Sequence, residues 1–257
     1  MADLAWRALP VTTQTVRQLA GGRTARLVWA LSFLPVVFAL IYLVRPEGVT
    51  PAEFLNGIFA QFVVPTLLPI TVLIPATAAF GNELEDHTLL YLTLKPVSRL
   101  RIVLGKTLGV LLTTLPAVLL GLAATAAVAG VGGRLRGAPA GPETVGGLLP
   151  ATLAAAAGGT VLIACVFLAA SLFVPRALLA GIVYIFIWES LLGRLLPGIQ
   201  AISIRHQVLS LYSRLSDVPL TEQPGAATVG GALAAIAVVS LVALGLATLR
   251  LRSLDLE

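Results

Sequence analysis

Residues 27–44 read LVWALSFLPVVFALIYLV, with no charge inside the run and an arginine at each edge, Arg26 and Arg45. An uncharged apolar run of about 18 residues is long enough to cross the hydrocarbon of a bilayer as a helix. No secretory signal is expected at the N-terminus, because the first apolar run begins only at Leu27 and is long enough to span. The residues before it carry Arg7, Arg17, Arg23 and Arg26 and no apolar stretch of their own.

Outward from this run the same pattern recurs, predicting further spans at about 53–80, 102–130, 148–174, 177–196 and 225–249. The expected fold is therefore all-α: a single transmembrane domain over 1–257 with six membrane helices. Composition agrees, with 58% hydrophobic and 11% charged residues. Soluble domains carry about 25% charged residues, so this chain lacks the polar side chains to cover a surface in water. A net charge of +5 invites a nucleic-acid reading. The basic residues flank apolar spans, however, which is how membrane proteins set orientation, so no nucleic-acid partner is expected and the lipid bilayer is. The lone Cys165 permits no disulfide within the chain and no cysteine zinc site.

Span two contains Pro65, Pro69 and Pro75. Each removes a helical hydrogen bond, and in lipid the freed carbonyls need partners, so this span is expected inside a bundle or along a cavity. Gly105 with Gly109, Gly158 with Gly159, and Gly230 with Gly231 would permit close helix approach. Residues 4–20 read as an N-terminal amphipathic helix on the membrane surface, broken near Pro10. Residues 197–224 form an outer segment. Over residues 195–215, Leu195, Ile199, Ile202, Leu209, Tyr212 and Leu215 recur at near-helical spacing opposite Ser203, His206, Gln207 and Ser210. It reads as an outer-surface amphipathic helix or a re-entrant hairpin, with His206 a solvated residue rather than a ligand.

Orientation follows from arginine and lysine. With the N-terminus inside, the inner segments hold Arg7, Arg17, Arg23, Arg26, Lys95, Arg99, Arg101, Lys106, Arg176, Arg250 and Arg252. The outer ones hold Arg45, Arg134, Arg136, Arg194, Arg205 and Arg214. Eleven against six predicts a multi-pass protein of the cell (plasma or inner) membrane with both termini cytoplasmic.

Catalytic patterns are missing. Gly105–Lys106–Thr107 imitates the end of a phosphate-binding loop, but the required earlier glycine is Leu100 and no strand precedes it. There is neither an HExxH pair nor a GxSxG elbow. The chain is expected to bind no cofactor and to catalyse nothing by itself. Glu189 is the one acidic residue well inside an apolar run, where a carboxylate costs about 2.5–3.5 kcal/mol on insertion scales. Arg194 lies five residues on, too far around a helix to pair well. Glu189 could pair with another helix, line a path, or be wet at the boundary. A secondary transporter using Glu189 as an ion or proton site is the alternative function, with Arg194 and His206 as further path or gate candidates.

The informative stretch is Gly81–Lys106. Its acidic start, Glu83, Glu85 and Asp86, leads to His87–Thr88. A ladder of Leu89, Leu90, Leu92 and Leu94 follows, then Lys95–Pro96, Ser98–Arg99 and Leu104–Gly105–Lys106. This pattern resembles the link between spans two and three of type-2 ABC exporter permeases, departing from it at His87, where that family usually has glycine. The resemblance implies that the link is a cytoplasmic coupling helix docking on a separate ABC ATPase subunit. It also implies two copies of the chain, two ATPase subunits, and ATP and Mg held by the ATPase. Leu89, Leu92 and the turn at Pro96 would fill a groove on that partner. Glu83, Glu85, Asp86 and Arg99 would form the polar rim, with His87 and Thr88 between them. The outer segment resembles that family's outer gate element.

Overall fold

The computed structural model describes residues 2–44, 48–85, 98–135, 145–187, 203–216 and 228–253, with side chains described from residue 11 onward apart from those of 82–85. In chain order these residues form α1 (Ala2–Ala20), α2 (Arg23–Val44), α3 (Pro51–Ile58), a π-helical segment (Phe59–Leu67) and α4 (Leu68–Glu85). There follow α5 (Arg99–Leu135), α6 (Val145–Phe173), α7 (Ala177–Tyr184), α8 (Ile204–Ser216) and α9 (Val229–Ser253). No strand occurs among the described residues.

Five stretches are long and apolar enough to cross a membrane: Arg23–Val44, Pro51–Gly81, Arg99–Leu135, Val145–Phe173 and Val229–Ser253. They match five of the six expected spans. The expected fifth span, 177–196, is represented by the shorter apolar helix Ala177–Ile187, and its remainder lies outside the described residues.

Span two stays helical from Pro51 to Glu85 through α3, the π-helical segment and α4. Its start is set by a capping box. The Glu53 amide donates to Thr50 Oγ1 at 3.2 Å, and the Thr50 amide donates to Glu53 Oε2 at 2.9 Å. Pro51 opens the first turn, where its missing N–H costs nothing. The Tyr42 hydroxyl donates to the Val49 carbonyl at 2.7 Å, and its ring stacks on Phe54 at 4.4 Å, holding the corner between α2 and α3. Pro65 is taken up by the wider π-helical turn, and Pro75 lies within α4. Within its 18-residue apolar stretch 61% of the residues are buried, as in Val145–Phe173, against 28% in Arg23–Val44 and 33% in Val229–Ser253. Span two is thus central, as its prolines predict. α2 and α9 turn Trp29, Phe33, Ile41, Leu241 and Leu249 outward.

Glycines set the closest crossings. A Cβ on Gly121 would stand 2.0 Å from the Ser32 carbonyl oxygen, so α2 and α5 meet backbone to backbone. A Cβ on Gly181 would stand 2.3 Å from Leu73 Cδ1, joining α7 to α4. α6 and α9 run side by side in the same direction. Ile236 reaches Gly158, and one long step further Arg250 Nε donates to the Leu172 carbonyl at 3.5 Å. Many buried threonine hydroxyls are satisfied within their own helices. Thr107, Thr114, Thr125 and Thr160 donate to the carbonyl four residues back at 2.8 Å. Arg176, at φ 57 and ψ 45, makes the sharp corner between α6 and α7 that Pro175–Arg176 announces.

One expectation is corrected. α1 is not broken near Pro10 but runs unbroken from Ala2 to Ala20. One face of it packs on the bundle. Thr12, Thr15 and Leu19 are buried, and Thr15 sits in the notch at Gly109 of α5. Tertiary packing of that face offsets the hydrogen bond that Pro10 removes.

Candidate functional site

Before the link between spans two and three α4 ends at Glu85, and after it α5 begins at Arg99. Glu83 and Glu85 lie in the last turn of α4, and Arg99 is the first residue of α5. Asp86, His87, Thr88, Leu89, Leu92 and Pro96 lie outside the described residues. Exposed Ser98 precedes the helix, its carbonyl accepting from the amides of Arg101 at 2.9 Å and Ile102 at 3.3 Å.

The two helix ends are fastened to each other by a residue that sequence reasoning quoted in the motif but left out of the site. Lys106 is only 1% exposed. Its Nζ donates to the Ala79 carbonyl of α4 and stands 4.5 Å from the centroid of the buried Phe80 ring. A cation in an apolar bundle is costly unless fixed donors and acceptors replace its water, and a carbonyl and a ring face supply such contacts. One turn on, Gly109 leaves room for Thr15, so α1 closes over the same part of α5. The signal that could have found Lys106 was present: it is the only charged residue in 102–130.

The second region is α8. It lies within the bundle rather than on its outer surface. A Cβ on Gly159, midway along α6, would meet Val208 Cγ2 and Leu68 Cδ2, each at 2.8 Å. Tyr212 is fully buried, its ring 4.7 Å from Phe59 at the start of the π-helical segment. His206 is half-buried, its amide donating to Ser203 Oγ at 3.3 Å. Val64, Pro69, Ile163, Phe167, Ile185 and Ile204 line a small apolar pocket bordered by Arg205. Glu189 and Arg194 lie outside the described residues. The structure thus brings together the ends of α4, α5 and α1, while His206 belongs to a separate place in the fold. No group of three or more His, Cys, Asp or Glu that could hold a metal occurs among the described residues.

This architecture is that of a multi-pass helical membrane protein built around a proline-rich second span and a polar link to the third. Residues 23–188, well over half of the chain, match the family described as ABC-2 family transporter protein, and the chain belongs to that family. It is a membrane-spanning permease component of an ABC transporter. The match runs from α2 through α7 and includes the link. No curated protein matches the chain significantly.

Proposed function

We propose that this chain is the membrane subunit of an exporter powered by a separate ATPase, which docks on segment Glu83–Arg99. Two copies of the chain form the path, and ATP and Mg are held by the ATPase, with the docking face and both termini in the cytoplasm. The observation that carries the reading is the fastening of α4 to α5 by Lys106 at the base of a segment with an acidic start and a leucine ladder. A permease without its own nucleotide site must receive work through contacts, and a loop rooted in two tied helices can transmit a push that a slack loop would absorb. The link at Pro175–Arg176 is a two-residue corner and cannot present such a surface.

The direction of the basic residues supports the orientation. Arg23 and Arg26 begin α2, Arg99 and Arg101 begin α5, and Arg250 and Arg252 end α9. The parallel run of α6 and α9 puts the last pair at the same end of the bundle as the corner to α7.

The experiment is Leu89→Asp with Leu92→Asp. Two carboxylates on an interface ridge lose at least about 2 kcal/mol of contact, roughly thirtyfold in affinity. The variant is expected at normal membrane levels, with co-purification of the ATPase and transport-stimulated ATP hydrolysis lost. Normal values of both refute the docking assignment.

A further inference from the structure

Span three carries a single charge, and it is spent on a contact with a residue 27 positions away. A methionine or leucine at 106 would fill the same volume without desolvating an ammonium. Packing alone therefore does not account for lysine there. What lysine adds is a long, charge-assisted reach to one carbonyl, stronger than a neutral hydrogen bond and broken or made as a unit.

The position of that carbonyl matters. Ala79 lies six residues before the last residue of α4, about 9 Å of helix. Lys106 lies seven residues after the start of α5, about 10 Å. The tie therefore crosses between the two helices at one level, just inside the point where the link departs. Phe80, fully buried, floors the ammonium. One turn on along α5, Thr12 and Thr15 of α1 press on Gly109. Toward the bundle centre, α4 continues without a break into the π-helical segment, whose first residue touches Tyr212 of α8. A movement of α4 at Ala79 has a continuous helical route to α8.

We propose that Lys106 is a positioning residue: by holding Ala79 and Phe80 it makes the ends of α4 and α5 move as one body, so that displacement of the link between them reaches the π-helical segment and α8. This rests on the reading of that link as the ATPase-docking segment. Removing the cation should then leave docking intact and uncouple ATP hydrolysis from transport.

The test uses the full chain with Cys165→Ala, reconstituted in liposomes with its ATPase. Lys106→Met keeps length and apolarity and removes the charge; Lys106→Arg keeps the charge. Transported substrate per ATP hydrolysed is measured beside ATPase co-purification. Spin labels at Gly81→Cys and Ser98→Cys report the separation of the two helix ends, with and without nucleotide. The Met variant is expected to bind the ATPase normally and to lose roughly tenfold in transport per ATP, within the usual range of coupling between sites. Its Gly81–Ser98 distance distribution broadens, and Arg restores much of both. Unchanged transport per ATP with an unchanged distribution overturns the proposal, as does loss of ATPase binding in the Met variant. If the unmodified chain binds no ATPase, the docking reading fails, while the spin-label comparison without nucleotide still decides whether Lys106 holds the helix ends. Should the Met variant fail to insert, Phe80→Leu, which removes only the ring beneath the ammonium, is read by the same two measurements, and normal values there overturn the proposal.

Discussion

Gly121→Ala isolates the crossing of α2 and α5. The added methyl would lie 2.0 Å from the Ser32 carbonyl oxygen and 2.7 Å from its carbonyl carbon. Carbon–oxygen contacts of this type settle at about 3.3–3.6 Å, so the two helices must part by about 1.4 Å along that line. A gap of that size forfeits at least half of the dispersion attraction across the seam that holds Val28, Pro35 and Ala39. Overpacking costs about 1–3 kcal/mol; because the obstructing atoms are backbone and have no rotamer to escape into, the upper figure applies. Alanine returns about 1 kcal/mol of helix propensity, leaving a net loss of about 2 kcal/mol, or roughly 4–8 °C in Tm for a chain of this size. Thermal unfolding in mild detergent measures it. Gly245→Ala, with nothing within 4 Å of the new methyl, is the matched control and should be neutral or slightly stabilising. Ser32→Gly should not rescue Gly121→Ala, since the obstruction is the carbonyl of residue 32 and not its side chain. A Gly121→Ala variant as stable as the parent, or a rescue by Ser32→Gly, refutes the reasoning.

Gly159→Ala should be milder than Gly121→Ala by the same thermal assay, because the atoms it meets are side-chain methyls of Val208 and Leu68 rather than backbone, and Leu68 can turn aside although β-branched Val208 is stiff. A loss equal to that of Gly121→Ala would mean that α8 is held rigidly in its notch. Single cysteines at Ser98 and Arg214, both exposed, are expected to react with an impermeant maleimide from opposite sides of the membrane in a Cys165→Ala background. Reaction of both from one side rejects the proposed orientation.

The spans were legible because hydrophobic length is a property of consecutive residues, and the membrane imposes it on each helix separately. Long-range partners are not of that kind. Residues 203–210 show why: sequence periodicity places Ser203, Gln207 and Ser210 on a polar face, which reads equally well as facing water or facing protein. The structure buries Ser203 and Ser210 and packs Val208 against Gly159, so the face meets other helices. Amphipathicity reports that two sides of a helix differ, not what lies opposite either of them. Pro10 misled in the same way, since the propensity of one residue says nothing of the face of α1 that rests on α5. Lys106 is the sharpest case. Read locally, it is the tail of an incomplete phosphate loop; read as the sole charge in 102–130, it demands a partner, and only the fold can supply Ala79 and Phe80 from the preceding span. Its partners are contributed by the helix on the far side of the link. The residues that give that link its chemistry and the residue that anchors it are therefore found by different reasoning: the first by composition, the second by asking which buried charge would otherwise stand unpaid.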